Sequence, residues 1–348
     1  MDQVNGNHTQ GNNETSKTNL QLHVALLSLS ILALAFVTFI GNLLVILSVA
    51  LNRRLQTVTG AFITSLATGD LMIALLVVPM IIVSNTKGPE MSEDGGIKAC
   101  HFTISLAISL LFNSIANLGA ISLDRYIAVM VPLRYKALLT KRRTATIIGF
   151  VWLFSTFFGF LPYTGWRTVY PRSKGAKGLY CQVPLNLDST YILTVCLIAL
   201  IPTVFMIVAY FRIFQTARYH TSMIANAFNS VLKNHGNLTS IDLIKETKAA
   251  KMVSIVMGTF LICWLPLFVI MLLEVSRKYF VNSYVYAGAV MFATFNSAFN
   301  PFIYAANNRE YRYTFKALLK CKMSRNRINA VPTWNTLDKN FNISQYLQ

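Results

Sequence analysis

Seven long apolar runs are the feature of this sequence that most limits what the chain can fold into. A helix needs about 20 mostly apolar residues to cross the hydrocarbon core of a bilayer, and each run reaches or approaches that length. We place the runs at residues 24–51, 59–85, 97–130, 145–166, 190–217, 248–274 and 283–305. Because a lipid-exposed segment must satisfy its own backbone hydrogen bonds, runs of this length predict helices. The expected fold is an all-α membrane protein, a seven-transmembrane helix bundle.

The composition agrees with a membrane protein. Hydrophobic residues make up 54% of the 348 residues and charged residues only 13%, whereas soluble domains carry about 25% charged residues. The net charge of +18 could indicate a nucleic-acid ligand. The basic residues flank the apolar runs instead of forming one stripe, which favours positive charge retained on the cytoplasmic side of a membrane. We therefore expect no nucleic-acid partner.

The short links between the runs predict the orientation. Arg53 and Arg54 follow the first run, and the link at 131–144 carries five lysines and arginines. The link at 86–96 instead contains three acidic residues. Basic links stay in the cytoplasm, so we expect a multi-pass plasma-membrane protein with an extracellular amino terminus. The loop before the fifth run, which is basic, departs from this trend, but the first links usually dominate.

The segments outside the bundle also have recognisable patterns. Residues 1–23 form a polar extracellular tail, in which Asn7 and Asn13 lie in glycosylation acceptor sequences. After the bundle at 24–305, apolar residues recur at helical spacing among basic ones, which predicts an amphipathic helix in the membrane interface over 306–321. Cys321 ends this helix and is a candidate for palmitoylation, with an unmodified thiol as the open alternative. Residues 322–348 are expected to be a cytoplasmic tail.

Two cysteines fall on the predicted extracellular side. Cys100 lies at the outer end of the third run and Cys181 in the loop before the fifth. Disulfides persist in that compartment, and this one would contribute about 4–5 kcal/mol in the chain-entropy model. It would also hold the second outer loop over the mouth of the bundle. Cys196 and Cys263 lie inside apolar runs and are expected to be packing residues.

Asp70 interrupts the second apolar run and is the clearest polar residue inside the predicted bundle. A buried carboxylate needs a cation or hydrogen-bond donors, and ionisable residues within spanning helices usually mark function. The polar residues near mid-helix that can converge on it are Asn42, Ser114, Asn296, Ser297 and Asn300. Their oxygens suit an allosteric sodium ion. Asp70 bonded to Asn42 and Asn300 without an ion is the alternative.

The tripeptide Asp124-Arg125-Tyr126 ends the third run. An arginine at this depth must find acceptors or extend to the cytoplasm. Asp124 is adjacent, and Glu246 at the inner start of the sixth run is a second possible partner. Pairing with both would tie the third helix to the sixth. A partly solvated pair contributes about 1 kcal/mol, which suits a latch that must open.

Short motifs recur along the runs in a fixed order. They are Gly41-Asn42, Leu66-Ala67-x-x-Asp70, Asp124-Arg125-Tyr126, Trp152, Pro202 with Tyr210, Cys263-Trp264-Leu265-Pro266 and Asn300-Pro301-x-x-Tyr304. The ordered set, over residues 24–321, resembles the rhodopsin-like (class A) G-protein-coupled receptors. The resemblance implies a receptor, not an enzyme, that converts binding of an extracellular small molecule into activation of a heterotrimeric G protein. Arrestin, a receptor kinase and membrane lipid are the further partners it implies.

The resemblance also implies roles for individual residues. The activation switch it assigns comprises Asp124, Arg125, Tyr126, Glu246, Trp264, Pro266, Tyr210, Tyr304, Ile115, Pro202 and Phe260. Within this set Arg125, once released from Glu246, meets the G protein, and Trp264 lies beneath the ligand. Leu133 corresponds to a hydrophobic residue that enters a pocket on the G protein. On their own, Ile115, Phe260 and Leu133 would be read as ordinary packing residues.

The ligand is less defined by the sequence. Counting from Arg125, Ala107 stands where amine receptors carry an aspartate, and Thr294 stands where opsins carry the retinal lysine. The outer half of the bundle is mostly apolar, which favours an uncharged or amphipathic small molecule. The predicted pocket residues are Ala107, Ile108, Leu111, Thr194, Met271, Glu274, Tyr286, Val290 and Thr294.

Several stretches are similar to adenosine receptors in particular, including Pro132-Leu133-Arg134-Tyr135 and Cys263–Leu267. Three positions depart from the purine-binding pattern of those receptors, namely Val183, Met271 and Thr294. The similarity is therefore distant, and adenosine is not the expected ligand.

Two other classes were weighed. A secondary transporter, or another seven-helix protein that does not couple to G proteins, is the main alternative, but the halves show no convincing internal repeat. An enzyme needs a converging nucleophile, base or metal set, and the five histidines do not cluster. We expect no cofactor apart from the possible sodium ion.

Overall fold

The computed structural model describes residues 4–86, 93–166, 181, 183, 187–230, 238–276 and 281–320. Its long helices are α1 (Val4–Leu51), α2 (Val58–Met72, continued by a π-helical turn at Ile73–Val77 and by Val78–Thr86), α3 (Glu93–Met130), α4 (Lys141–Phe160), α5 (Ser189–Ser230), α6 (Leu238–Val275), α7 (Ser283–Asn307) and α8 (Arg309–Leu319). The all-α fold class predicted from the sequence is confirmed.

Six of these helices contain a segment long and apolar enough to cross a membrane: Ala25–Leu51, Val58–Val83, Lys98–Met130, Lys141–Thr164, Ser189–Thr216 and Met252–Val275. The helix α7 has 25 residues, but Asn296, Ser297 and Asn300 lower its hydropathy. The predicted runs coincide with these helices and differ mainly at their polar ends. The helix α5 continues to Ser230 and α6 begins at Leu238, so both extend beyond the predicted apolar runs. The difference arises because hydropathy detects only the part of a helix that lies in lipid.

The helix α3 is the centre of the bundle. Of an apolar 18-residue stretch of its spanning segment 72% is buried, against 22% for the corresponding stretch of α4 at the periphery. It packs against α2, α4, α5 and α6, while α7 lies between α1 and α6. The indole nitrogen of Trp152 in α4 donates to the hydroxyl of Ser65 in α2 at 3.0 Å. In the middle of the bundle, Asp70 of α2 contacts Ser297 and Asn300 of α7.

Small residues allow several helices to approach closely. A Cβ atom placed on Gly159 of α4 would lie 2.6 Å from backbone atoms of Ser109 in α3, and one on Gly41 would lie 2.8 Å from the ring of Pro301. The hydroxyl of Ser109 donates to the carbonyl of Ser155 at 3.1 Å. Close backbone approach of this kind is a main source of helix association in a bilayer.

The outer loop is tied to the bundle by the predicted disulfide. Cys100 and Cys181 are bonded, with their Cα atoms 5.5 Å apart. Cys196 and Cys263 are buried free cysteines. The bridge holds Cys181 and nearby Val183 at the mouth of the bundle.

The helix α8 is fixed to the inner ends of α1 and α7. Its Tyr311, Phe315 and Leu318 are buried. Asn52 donates to Glu310 at 3.2 Å and to Thr314 at 3.0 Å. Cys321 lies outside the described residues, as do the side chains of Asn7, Asn13 and Glu246, whose backbones belong to α1 and α6.

Replacing Gly159 by valine tests the α3–α4 contact. The added carbon would collide with the backbone of Ser109, which cannot rotate away, so we expect a loss of about 1–3 kcal/mol or more. The measurement is the melting temperature of the purified protein, which should fall by several degrees.

Gly149→Val is the matched control. Gly149 lies on the same helix, and no neighbouring atom of the described residues lies within 4 Å of a Cβ added there. Its melting temperature should stay near that of the wild type. Equal stability of the two valine variants would contradict the close approach of α3 and α4.

Candidate functional site

A cavity of about 180 Å³ lies in the half of the bundle that carries the Cys100–Cys181 disulfide, beneath Cys181 and Val183. Seven of the nine predicted pocket residues line it, namely Ala107, Ile108, Leu111, Met271, Tyr286, Val290 and Thr294. Its walls are mostly aliphatic. Among the described residues, no acidic side chain lines it. The cavity therefore offers a ligand a large apolar surface and a few hydroxyl groups.

The other two predicted pocket residues make contacts elsewhere. The hydroxyl of Thr194 donates to the carbonyl of Thr190 in its own helix at 2.8 Å. The carboxylate of Glu274 accepts the N–H of Val281 at 3.2 Å, outside the cavity. The structure does not bring these two residues to the cavity wall.

One wall of the cavity was not anticipated from the sequence. Leu27 and Ile31 of α1 and Ile73, Val77 and Val78 of α2 line it. These are aliphatic residues within uniformly apolar runs, so hydropathy does not distinguish a wall residue from a lipid-facing one. Only the packing of α1 and α2 against α7 identifies them.

A deeply buried polar core lies below the cavity. Asp70 is 1% exposed, and its carboxylate accepts hydrogen bonds from the hydroxyl of Ser297 at 2.6 Å and from the amide of Asn300 at 2.8 Å. Asn42 donates to the carbonyls of Thr38 and Ser297 at 2.9 and 3.0 Å, not to Asp70. The carboxylate thus joins α2 to α7, and Asn42 adds α1 through the backbone of α7.

Several of the predicted polar-core residues have hydrogen-bonding capacity left over. The buried oxygens without a hydrogen-bond partner in the described part of the chain include Asn42 Oδ1, Ser114 Oγ, Asn296 Oδ1 and Asn300 Oδ1. Asn300 contacts Asp70 and Asn42 contacts Ser297, so both lie beside the carboxylate. A carboxylate, a hydroxyl and amide oxygens are the ligand types that hard cations prefer.

The cavity and the polar core share a residue. Ser297 lines the cavity and its hydroxyl donates to Asp70. A ligand that reaches the cavity floor therefore contacts a direct partner of the buried carboxylate.

A second buried polar network surrounds Arg125 at the inner end of α3. Asp124 is 0% exposed and accepts from Arg125 at 2.8 and 3.1 Å, from Thr59 at 2.6 Å and from Tyr135 at 2.7 Å. Arg125 also donates to the hydroxyl of Thr59 at 2.5 Å. The network joins α3 to the start of α2 and to the following loop.

Thr59 and Tyr135 were missed by sequence reasoning. Neither stands in a motif, and a threonine near a helix start is normally read as a capping or surface residue. The predicted second partner of Arg125, Glu246, has a side chain outside the described residues, so the tie between α3 and α6 stays a prediction. Tyr126 is half-buried and packs against the core.

An aromatic series connects the cavity to the middle of α6. The ring of Trp264, which lines the cavity, lies 6.0 Å from Phe268 and 5.9 Å from Phe260. Phe260 and Ile115 are almost completely buried in the same core cluster. Pro202 of α5 packs beside Gly119 of α3, 3.6 Å from the position of an added Cβ. A ligand touching Trp264 would thus press on the packing that holds α6.

Two buried tyrosines lie on the inner half of the bundle. Tyr210 and Tyr304 are buried, and within the described residues their hydroxyl groups have no hydrogen-bond partner. The ring of Tyr304 lies 5.5 Å from that of Tyr311 in α8. Burial raises the pKa of the Tyr311 phenol, so it stays protonated at physiological pH. Pro266 lies inside α6, where it removes a backbone hydrogen bond.

Comparison with known proteins gives consistent matches over most of the chain. A family described as "7 transmembrane receptor (rhodopsin family)" matches residues 41–304. The histamine H2 receptor of Rattus norvegicus is 35% identical over 86% of this chain and 80% of its own length. The adenosine receptor A2a of Equus caballus is 33% identical over 84% of this chain and 72% of its own length. The human 5-hydroxytryptamine receptor 4 is 33% identical over 83% and 78%, respectively.

Replacing Thr59 by valine tests the network around Asp124. The substitution keeps the shape of the side chain and removes the hydroxyl that contacts both Asp124 and Arg125. A hydrogen bond to a charged group contributes about 1.5–3 kcal/mol. We expect a lower melting temperature and faster amide hydrogen exchange at the inner ends of α2 and α3.

Thr64→Val is the control for this substitution. Among the described residues, the hydroxyl of Thr64 donates to the carbonyl of Gly60 within its own helix and to no other helix. Its exchange profile should match the wild type. If both variants behave alike, the contacts of Thr59 do not hold the two helices together.

Proposed function

The chain belongs to the rhodopsin family of seven-transmembrane receptors, and from that membership we propose how it couples an extracellular ligand to a G protein. It is a multi-pass membrane receptor for a small molecule and not an enzyme.

We propose that the network around Arg125 holds the closed state. Arg125 is 6% exposed and bonded to Asp124 and Thr59, so its guanidinium cannot at the same time serve a partner in the cytoplasm. This burial is the observation that carries the proposal. Glu246 is proposed as a further partner that ties α6 to Arg125. A ligand that binds the open state better would shift the population toward release of Arg125.

The aromatic series below the cavity is the proposed route for the signal. Trp264 touches both the cavity and Phe260, and Ile115 and Pro202 join the same core. Pro266 would provide the bend in α6, and Tyr210 and Tyr304 would stabilise the open state. Their buried hydroxyls without partners support such a role, since both could gain hydrogen bonds on rearrangement.

The proposed ligand is uncharged or amphipathic. Two of the three relatives are named for amines, histamine and 5-hydroxytryptamine. Ala107 in this cavity cannot pair with an ammonium group, and desolvating an unpaired charge is costly. Transferring an amine ligand from those relatives to this chain is therefore not supported.

Leu133 is the proposed contact with the G protein. It lies just after α3 and is 99% exposed, which is unusual for a large apolar side chain and supports a docking role. Leu133→Ala should reduce nucleotide exchange by a purified G protein about tenfold or more, because apolar anchors carry much of an interface's binding energy. The Leu133→Ala variant should fold as the wild type does.

Leu138→Ala is the control for the G-protein contact. Leu138 lies in the same loop and is only 41% exposed. If exchange rates fall equally in both variants, the loss reflects a change in the structure of the loop and not a contact made by Leu133. Unchanged exchange with Leu133→Ala would remove the proposed contact.

Sodium is the proposed allosteric ion at Asp70. Ser114, Asn296, Asn300 and Asn42 supply the neutral oxygens that fit such a cation. An ion that binds only one conformation stabilises it by mass action. Replacing choline chloride by sodium chloride at constant ionic strength should therefore raise the melting temperature of the wild type and lower its basal G-protein activation.

Asp70→Asn should abolish both effects of sodium, because the amide keeps the shape of the side chain and removes the charge. Asp188→Asn, outside the polar core, should leave them intact. A sodium response that survives Asp70→Asn would rule out this ion site.

The remaining assignments are proposals from the sequence. They are an extracellular amino terminus, glycosylation at Asn7 and Asn13, palmitoylation at Cys321, and binding of arrestin, a receptor kinase and membrane lipid.

A further inference from the structure

The cavity extends toward α1 and away from α5. The α5 residues Tyr191, Ile192 and Val195 line only a small neighbouring void, which shares Trp264 and Met271 with the main cavity. The main cavity continues instead between α1, α2 and α7. We name this part the α1 chamber; its walls include Leu27, Ile31, Ile73, Val77, Val78 and Val290.

The α1 chamber owes its shape to the π-helical turn of α2. Ile73–Val77 forms this turn, and both Ile73 and Val77 line the chamber together with the following Val78. A π-turn carries an extra residue, so it changes which side chains face inward beyond it, and such turns are frequent at functional sites. The result is a wall of branched aliphatic side chains. Such a wall attracts an apolar group and offers no partner to a charged one.

Hydroxyl groups stand at the α7 side of the cavity. The oxygen of Tyr286 accepts the N–H of Val183 at 3.1 Å, and its own hydrogen has no acceptor among the described residues. Tyr286 is 4% exposed and lines the cavity, so this hydrogen is available to a ligand oxygen. The hydroxyl of Thr294 donates to the carbonyl of Val290 and keeps free lone pairs. Tyr286 and Thr294 are therefore polar handles on α7, and Ser28 of α1 and Thr103 of α3 also line the cavity.

We propose that the ligand is an uncharged amphiphile whose oxygen acceptor binds Tyr286 and whose alkyl tail fills the α1 chamber. This inference rests on the proposed receptor function and specifies its ligand. An ammonium group finds no counter-charge in the same place, because among the described residues no acidic side chain lines the cavity. The tail supplies most of the affinity, and the hydrogen bond to Tyr286 orients it.

A homologous series of N-methyl alkanamides tests the proposal with the full chain in lipid nanodiscs. Their carbonyl is the acceptor, and the tail lengthens from about four to about twelve carbons to span the filling of the chamber. The measurement is thermal stabilisation, converted to apparent affinity. Each added methylene should tighten binding about fourfold until the chamber is full. Primary alkylamines of equal length should bind at least about tenfold more weakly, because their charge is left unpaired.

Two variants and one control separate tail from head group. Ile31→Trp fills the chamber and should remove the dependence on chain length, while short amides still bind. Leu32→Trp places the same side chain on the neighbouring, exposed position of α1 and should leave the series unchanged. Tyr286→Phe should weaken every amide by a similar factor, because it removes only the hydroxyl.

The outcomes distinguish this proposal from the receptor function. If short amides bind and longer tails do not increase the affinity, the α1 chamber is not the site of the ligand's tail. That result would mean that an acyl chain from the bilayer already fills the chamber. Amines that bind as well as amides would overturn the uncharged head group. Neither result bears on the receptor function. That function is checked independently by measuring G-protein activation by the unliganded receptor in the same preparation.

Discussion

The buried carboxylate of Asp70 is the constraint on which the rest of the bundle depends. An ionisable group in the middle of a bilayer has no water to solvate it, so neighbouring helices must supply its partners. Ser297 and Asn300 do so from α7, and Asn42 joins through the carbonyl of Ser297. Three helices are thereby held at one depth. These polar partners lower the hydropathy of α7, which is the least apolar of the spanning helices.

A second buried polar layer surrounds Asp124 and Arg125 at the inner end of α3. It joins α2, α3 and the following loop by hydrogen bonds rather than by apolar packing. Removing water from the carboxylate and the guanidinium is costly, and their mutual attraction offsets that cost with little to spare. An arrangement of this kind has an alternative of similar free energy whenever a partner in the cytoplasm offers Arg125 new contacts.

The outer cavity is connected to these layers by two residues. Trp264 lines the cavity and begins the aromatic series toward Phe260, and Ser297 lines it and bonds Asp70. Ligand binding can therefore act on α6 and on the polar core together. The relatives include receptors named for amines and for adenosine, yet the cavity here is lined by aliphatic residues and hydroxyls. A shared helix framework is thus compatible with a different ligand chemistry, because the wall residues are independent of the polar core.

The sequence by itself determined the helices, the family and the polar residues that must be buried. Hydrophobic length defines a spanning helix without reference to its neighbours, and an aspartate or arginine inside one is conspicuous against lipid-like surroundings. The pairing of Cys100 with Cys181 also followed from the side of the membrane. Tertiary structure alone decided that Thr59 and Tyr135 contact Asp124, that Thr194 bonds its own helix, and that Leu27, Ile31 and Val78 line a cavity. The physical reason is that in an apolar run every face has the same hydropathy, so the rotation and close approach of the helices determine which side chains face one another.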